Sequence, residues 1–405
     1  MLHYQHYRPH PQTAMKPVVK LDVAIVGGGI AGLWLLARLR ERGYGAVLVE
    51  SQQLGSGQTL CAQGIIHGGA KYSLHGSLSA SAQAIAGMPT LWRRCLSGAG
   101  EVDLREARLL AEHQYLWATQ APTSRIAAFF ASKLMQSRME KVAADLPIVL
   151  QHPQFRGAVY RLDEPIIDVA SVLAALAHRY RDALLFSPEP VIPAVDGSIT
   201  LHHPDQSPLT LFPACLVFTA GAGNAKLPWA AQQLRPLHMV MARGANLPGP
   251  LYAHCLGASD TPRLTVTSHD DAQGRLIWFL GGGLAETGVQ RNREEQIQFA
   301  RQELTALLPW VNWNAVQLAT FIVERAEAQQ PGGVRPASFS LRREGRMITA
   351  WPTKLALAPL LAEQLEEQVR TLDVQPHPVD WCALAHWPRP DIAVSPWDRA
   401  ELAWS

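Results

Sequence analysis

Three glycines with the spacing G-x-G-x-x-G stand near the start of the chain, where they could hold a diphosphate. Gly27, Gly29 and Gly32 follow the apolar run LDVAIV at 21–26 and begin the helical pattern of residues 30–42. The first glycine permits a tight turn, the second lets the backbone approach a pyrophosphate, and the third lets helix meet strand. The helix N-terminus offers free N–H groups and a positive dipole end to phosphate oxygens. The motif therefore predicts a dinucleotide site in a βαβ unit.

An acidic residue stands where such a site would bind the adenosine ribose. Glu50 ends a second apolar run, 46–49, and lies 18 residues after Gly32. Its carboxylate could accept hydrogen bonds from both ribose hydroxyls and would repel a 2′-phosphate, which disfavours NADP. The alternative is a glycine-rich turn in an ordinary βαβ unit, with Glu50 simply solvated. Because the same unit binds the ADP half of FAD or of NAD, the choice between them needs further residues.

The stretch after Glu50 favours FAD. It reads GSGQTLCAQGIIHGGAKY at 55–72 and GSLSA at 76–80, and GGVRP at 332–336 and MITAWPTKLALAPLLAE at 347–363 follow. In these places the sequence resembles the flavoprotein family that includes D-amino-acid oxidase, glycine oxidase, glycerol-3-phosphate dehydrogenase and L-2-hydroxyglutarate dehydrogenase. The resemblance implies FAD as the cofactor, with the 55–72 loop passing the pyrophosphate to reach the isoalloxazine ring. The pair Lys354 and Leu355 matches the glycerol-3-phosphate branch.

The strand, turn and helix expected at 347–363 would also suit a flavin physically. N–H groups at the helix N-terminus would lie where the N1–C2=O end of the ring gains negative charge on reduction. Pro359 suits the first helical turn, where its missing N–H is not needed. The alternative is a plain core strand and helix. Motif and resemblance together assign FAD binding to Gly27, Gly29, Ile30, Ala31, Gly32, Glu50, Ser51, Thr59, Leu60, Gln63, Gly64, Ile65, Ile66, His67, Val191, Ala220, Gly221, Arg335, Thr353, Lys354 and Leu355.

Two residues are expected to take part in the chemistry. Arg335 matches the arginine of the family's G-x-R-P, which in the amino-acid oxidase members holds the substrate carboxylate by a two-pronged contact suited to a planar guanidinium. The alternative for Arg335 is a salt bridge between sheet and loop. His67 could accept a proton from a substrate alcohol, because imidazole titrates near neutral pH, or could only pack against the ring. Pro352 replaces a basic residue of the glycine-oxidase-like members, which argues against an amino-acid substrate held by two arginines.

Other residues near these motifs are assigned structural roles. Cys61 could tether the flavin covalently, but a small buried residue is the preferred interpretation, and core or surface positions are preferred for His254 and Trp278. The glycines of GGGLAETG at 281–288 precede no apolar helix, so we interpret them as a strand-end turn facing the substrate. Without a separate NAD(P)H domain, electrons would leave to oxygen, a quinone or another carrier.

The pattern of elements predicts an α/β fold with two domains. A discontinuous, Rossmann-type FAD-binding domain would comprise residues 21–95, 156–235 and 326–370. An α+β substrate domain with antiparallel sheet would comprise 96–155 and 236–325. Residues 1–20 are interpreted as a leader, and 371–405, which contain four tryptophans among prolines, as a tail docked on the body.

Charge and cysteine content narrow the function classes. The 36 basic and 34 acidic residues show no long run of one sign, so nucleic-acid binding is not expected. Five scattered cysteines without CxxC or Cys/His ligand spacing predict a reducing cytoplasm and no metal site, and no segment has transmembrane length. We expect a cytoplasmic enzyme that oxidises a small carboxylate-bearing amine or 2-hydroxy acid. The alternatives are a flavin-binding module that modifies or senses a nucleic acid such as a tRNA base, and an NAD-dependent dehydrogenase.

Overall fold

A computed structural model describes residues 18–68, 85–119, 139–257, 261–336 and 338–405. Several expectations lie outside these ranges. They are the end of the 55–72 loop from Gly69 to Tyr72, the GSLSA segment at 76–80, and residues 1–17 of the expected leader.

The first sheet carries the dinucleotide motif and is mostly parallel, with the order β16-β17-β10-β1-β2-β8 and β9 paired to β10. Val23, Ala24 and Ile25 are completely buried because the sheet is covered on both faces, as the continuous apolar run predicted. The strands of this sheet are β1 (Val18–Val26), β2 (Ala46–Glu50), β8 (Leu184–Phe186), β9 (Ile199–His203), β10 (Gln206–Phe218), β16 (Ser340–Glu344) and β17 (Met347–Trp351).

The second sheet has eight strands in the order β15-β11-β14-β13-β12-β4-β6-β5. Its longest pairing joins β11 and β15 antiparallel over twelve residue pairs, from Gln232 with Ala328 to Arg243 with Gln317. The strands are β4 (Gln114–Ala118), β5 (Met139–Val142), β6 (Ala158–Leu162), β11 (Gln232–Arg243), β12 (Ala253–Cys255), β13 (Leu264–Asp270), β14 (Leu276–Gly281) and β15 (Gln317–Ala328). A separate short pair is formed by β3 (Leu109–Ala111) and β7 (Ile166–Ile167).

Among the helices of the described residues, two pack on the second sheet, Gly283–Gly288 and Arg293–Leu307, and the other four belong to the core of the first sheet. Helix α1 is buried along its whole first three turns between that sheet and the last long helix, so its apolar residues fill the main core. Arg38 of α1 is buried as well, and its guanidinium pairs with Glu366 and Glu101. The helices are α1 (Ile30–Glu41), α2 (Met88–Leu96), α3 (Val169–Arg179), α4 (Gly283–Gly288), α5 (Arg293–Leu307) and α6 (Ala358–Thr371).

Three details differ from the sequence expectation. Strand β1 begins at Val18 rather than Leu21, because Val18–Leu21 pair in parallel with Thr210–Pro213 of β10. Strand β6 falls in the range expected for the FAD-binding domain, yet it pairs with β4 and β5 in the second sheet. That sheet is antiparallel as expected except between β4 and β12, which run parallel. The pairings of β4 with β6 and of β4 with β12 join segments that are far apart in sequence.

The C-terminal segment, 371–405, docks on both halves of the molecule. The backbone of Leu54, next to the glycine-rich turn, pairs with the segment around Ile392. Trp397 stacks on His269 of β13 with ring centroids 4.3 Å apart. Ser405 exchanges both backbone hydrogen bonds with Leu318 of β15, at 2.8 and 3.0 Å.

Candidate active site

The glycine-rich turn lies where β1, α1 and the end of β10 meet. Gly27 has a φ of +112°, and a Cβ there would lie 2.6 Å from the Cα of Ala220. A Cβ on Gly32 would lie 2.1 Å from the carbonyl oxygen of Gly27, so the helix packs against the turn at a distance that only glycine allows. These contacts match the roles predicted for the first and third glycines.

The start of α1 presents backbone N–H groups rather than a side-chain cap. Gly29 is the N-cap residue and has no side chain to accept a hydrogen bond. The Ile30 N–H donates to the hydroxyl of Thr59 at 3.2 Å, which places that threonine beside the turn. A helix start of this kind is a favourable environment for an anion.

Glu50 is held against the turn by backbone donors. One carboxylate oxygen accepts from the Gly28 N–H at 2.6 Å, and the other accepts from the Gln52 N–H at 2.8 Å. Each carboxylate oxygen has a further lone pair available for a ligand hydroxyl. The carboxylate is therefore fixed in direction at the end of β2, where the sequence placed it.

A cavity of about 560 Å³ begins at this turn and extends between the two sheets. Most residues assigned to the cofactor line it, including Ser51, Val191 and Gly221. Gly32, Leu60 and Ile66 do not line it, and Leu60 and Ile66 are core residues instead. The predicted residues on its wall are Gly27, Gly29, Ile30, Ala31, Glu50, Ser51, Thr59, Gln63, Gly64, Ile65, His67, Val191, Ala220, Gly221, Arg335, Thr353, Lys354 and Leu355.

The loop after Glu50 is anchored to the second sheet at Gln63. The Gln63 amide nitrogen donates to the carbonyl oxygen of Phe279 at 2.9 Å, and a Cβ on Gly281 would lie 2.5 Å from the Gln63 amide oxygen. Gly281 and Gly282 line the cavity at the end of β14 and are followed by the short helix α4. The strand-end turn predicted for this second glycine motif is thus present and faces the cavity.

His67 lies in the cavity wall with a carboxylate on one side and a second imidazole against its face. Its Nδ1 is 3.3 Å from a carboxylate oxygen of Glu164, which is itself only 4% exposed. The ring stacks on His254 of β12, with centroids 5.7 Å apart and planes 15° from parallel. His254 also lines the cavity. The sequence analysis preferred an ordinary core or surface position for this residue, and the structure places it in the cavity wall instead. Trp278 is buried in the hydrophobic core of the second sheet, in agreement with the core position preferred from the sequence.

Arg335 is exposed at the cavity rim and has no ion pair with any described residue. Sequence reasoning missed a second guanidinium, Arg325 of β15, which lines the same cavity. Burial first, then the charges of Arg235 and Arg335, lower the pKa of Arg325 to about 10. Its closest carboxylate oxygen among the described ion pairs is that of Glu286, at 3.9 Å. The Arg325 guanidinium is thus a largely desolvated cation, and only some of its N–H donors have hydrogen-bond partners among the described residues.

The turn between β17 and α6, the closing turn, forms part of the cavity wall. Pro352, Thr353, Lys354 and Leu355 all line it, and α6 begins shortly after at Ala358. The Thr353 hydroxyl oxygen is buried without a hydrogen-bond partner among the described residues. Since buried polar atoms are normally satisfied, this hydroxyl is available to a ligand in the cavity.

Cys61 lines the same cavity but is buried among apolar side chains. Its Sγ is 3.7 Å from a guanidinium nitrogen of Arg399 in the C-terminal segment. Burial raises the pKa of the Cys61 thiol, and the nearby arginine offsets this only in part. A buried, protonated thiol suits the structural role preferred from the sequence.

Comparison with known proteins defines the family. The model of the DAO family, described as FAD dependent oxidoreductase, matches residues 22–355. The chain belongs to this family of FAD-dependent oxidoreductases. A probable FAD-dependent oxidoreductase of Pseudomonas aeruginosa, PA4991, is 45% identical over 394 residues, which cover 95% of this chain and all of that protein. The family membership makes the protein an FAD-dependent enzyme, as the motifs predicted.

Solved structures of DAO-type proteins share the fold. The crystal structure of PA4991 matches with a TM-score of 0.81 and 40% identity, covering 95% of this chain and 99% of that one. Glycine oxidase from Geobacillus kaustophilus matches with a TM-score of 0.58 and 18% identity, covering 87% and 95%. The L-alpha-glycerophosphate oxidase of Mycoplasma pneumoniae, solved with FAD bound, matches at 0.60 and 13%, covering 94% and 98%. The mixed α/β architecture predicted from the sequence is confirmed.

Two further observations concern metals and membranes. Within the described ranges, no three His, Cys, Asp or Glu side chains form a group that could hold a metal ion. None of the helices in the described part of the chain is long and apolar enough to cross a membrane.

Proposed function

We propose that this FAD-dependent oxidoreductase oxidises a small carboxylate-bearing amine or 2-hydroxy acid, whose carboxylate binds Arg335 and Arg325. The observation that carries the proposal is the meeting of these two guanidiniums and the His67 imidazole in one cavity. Arg335 lacks a carboxylate partner among the described residues, and Arg325 has one only at 3.9 Å. A carboxylate between the two planar guanidiniums would gain charge-assisted hydrogen bonds from the exposed Arg335 and from the largely buried Arg325.

We further propose that FAD lies along the cavity, from Glu50 to the closing turn. The N–H groups at the start of α1 would hold the diphosphate, and Glu50 would accept hydrogen bonds from the ribose. The buried hydroxyl of Thr353 and the turn before α6 would contact the ring. When bound, FAD supplies the hydride acceptor for the substrate C–H bond, while the protein orients the substrate and excludes water.

The sequence argued against a substrate held by two arginines, because Pro352 replaces a basic residue, but the cavity contains a second arginine at another position. Pro352 stands in the closing turn where related members carry a basic residue, but Arg325 supplies a second cation from β15. The second arginine therefore approaches from the second sheet and not from the closing turn. Its burial would strengthen an ionic contact with substrate relative to one at the surface.

His67 is proposed as the base for an alcohol donor. Its imidazole lies on the cavity wall, where Nε2 is the ring nitrogen opposite the one that faces Glu164. A 2-hydroxy acid must lose its hydroxyl proton as the C–H bond is broken, whereas the neutral form of an amine needs no such base. The comparisons give no support to the nucleic-acid alternative.

The test is anaerobic bleaching of the bound flavin by amino acids, N-methyl amino acids and 2-hydroxy acids. For the donor found, Arg335→Ala and Arg325→Ala should each raise KM roughly tenfold to a hundredfold, as expected for the loss of a charge-assisted hydrogen bond. The matched control is Arg343→Ala, which removes an exposed arginine of β16 away from the cavity. Bleaching by no carboxylate donor, or unchanged KM in both cavity variants, would refute the proposal. Reoxidation with oxygen or a quinone in the same cell then identifies the electron acceptor.

A further inference from the structure

The buried carboxylate of Glu164 has an unusual set of partners beside the cavity. It lies in the turn between β6 and β7 and does not line the cavity itself. One oxygen accepts from the Gly68 N–H at 2.6 Å, and the other accepts from the Gln114 side-chain amide. His67 Nδ1 lies 3.3 Å from that second oxygen. Both oxygens of this carboxylate therefore face nitrogen atoms. The Gly68 backbone N–H among them can only donate a hydrogen bond.

We propose that Glu164 is a positioning residue, which holds His67 in the tautomer with the proton on Nδ1 and leaves Nε2 as an acceptor toward the substrate. A carboxylate is an acceptor, so its hydrogen bond to the imidazole requires the proton on Nδ1. The bond also fixes the ring orientation, and the stacked imidazole of His254 restricts rotation from the other side. His254 is held in turn by the hydroxyl of Thr265, at 2.8 Å. The inference rests on the proposed role of His67 as base.

A purely structural role for Glu164 would be to hold the 64–68 loop in place, but backbone contacts already do so. The Ile66 N–H donates to the Pro165 carbonyl at 2.9 Å, and the Ile167 N–H donates to the Gly64 carbonyl at 3.0 Å. A Cβ on Gly64 would lie 2.1 Å from the Ile167 carbonyl oxygen, which shows how closely the two segments pack. The loop can therefore remain in place when the charge of Glu164 is removed.

The substitution Glu164→Gln separates the two roles because of the donors around the carboxylate. The new amide oxygen would face the Gly68 N–H, so the amide nitrogen would face His67 and Gln114. The Gln114 side-chain amide, whose oxygen has no hydrogen-bond partner among the described residues, can turn over to accept from this nitrogen. An amide N–H would then donate to Nδ1 and favour the opposite tautomer, with the proton on Nε2. The size and shape of the side chain remain the same, so the packing of the loop is preserved.

The experiment is a nitrogen NMR spectrum of the flavin-loaded enzyme labelled with ¹⁵N-histidine, in which long-range correlations distinguish the protonated ring nitrogen from the bare one. Comparison with His67→Gln assigns the His67 signals among the 15 histidines. We expect the Nδ1–H tautomer in the wild type and the Nε2–H tautomer in Glu164→Gln. The matched control is Glu366→Gln, another 4% exposed glutamate, which pairs with Arg38 away from the cavity and should leave the His67 signals unchanged.

Kinetics add a second measurement once a donor is known. Glu164→Gln should lower kcat for a 2-hydroxy acid on the order of tenfold to a hundredfold, leave KM within about twofold, and slow an amine donor less. An Nε2–H tautomer in the wild type overturns the proposal, as does a His67 signal unchanged by Glu164→Gln. If that variant does not fold, the wild-type tautomer decides alone. Failure of every donor to bleach the flavin would refute the proposed function, whereas the NMR result would still decide the role of Glu164.

Discussion

Replacing Gly32 with alanine should weaken FAD binding, although alanine is normally the better helix residue. The added Cβ would lie 2.1 Å from the Gly27 carbonyl oxygen and 2.7 Å from the Thr219 hydroxyl oxygen. Restoring an ordinary contact of 3.4 Å would require the start of α1 to move by about 1.3 Å away from the turn. The N–H groups proposed to hold the diphosphate would move with it.

The expected magnitude follows from two opposing effects. Alanine in place of glycine inside a helix is favourable by about 1 kcal/mol, whereas overpacking costs about 1–3 kcal/mol. The contact here is with rigid backbone, so the upper part of that range applies, and we expect a net loss of about 2 kcal/mol in the free energy of unfolding. A comparable loss of ~1–2 kcal/mol in binding would weaken FAD affinity roughly fivefold to thirtyfold.

The measurement is a titration of the flavin-free protein with FAD, followed by the quenching of flavin fluorescence, together with urea unfolding. The control is Gly87→Ala, because Gly87 does not line the cavity, has a φ of −82°, and a Cβ there meets no atom within 4 Å. That variant should bind FAD like the wild type. A Gly32→Ala protein that is as stable as the wild type and binds FAD as tightly would show that the close packing of helix on turn is not required.

Three further outcomes are expected. Burial lowers the pKa of His269 to about 3, below its ordinary 6.5. Between these two pH values the unfolded state binds a proton at His269 and the folded state does not. The free energy of unfolding should then fall by up to about 1.4 kcal/mol per pH unit from pH 6.5 downward, and urea unfolding of His269→Phe should lose this part of the slope. A thiol reagent should modify one cysteine quickly, because Cys382 is exposed and the other four are buried, and Cys382→Ser should abolish the fast phase. Glu366→Ala leaves the buried guanidinium of Arg38 with one fewer carboxylate, so thermal unfolding should reveal a loss of about 3 kcal/mol; an unchanged midpoint would contradict the pairing.

Local patterns were sufficient to predict the dinucleotide-binding half. The apolar run before Gly27, the helix after it and Glu50 are near neighbours in sequence, so their geometry follows from strand, turn and helix rules. The closing element was found for the same reason, since β17 (Met347–Trp351) and the start of α6 at Ala358 lie within the strand, turn and helix expected at 347–363, with Pro359 in the first helical turn.

The substrate side of the cavity could not be predicted in the same way. Arg325 lies within a long strand without a motif, and only the pairing of β15 with β11 brings it to the cavity. Glu164 lies between two short strands, and its contact with His67 depends on the meeting of segments 97 residues apart. The burial pattern of β15 does not alternate strictly, so its sequence alone does not show which side chains face inward.

The C-terminal segment, 371–405, does not line the cavity, but it contacts the loop that does. The Arg399 guanidinium reaches the thiol of Cys61 across 338 residues of sequence, and Leu54 takes its strand-like neighbours from residues around 392. During synthesis, the first βαβ unit therefore emerges long before the segment that contacts Leu54 and Cys61 of the following loop. FAD capture should consequently be a late event, and a ribosome-bound chain stopped before residue 390 should retain the cofactor poorly.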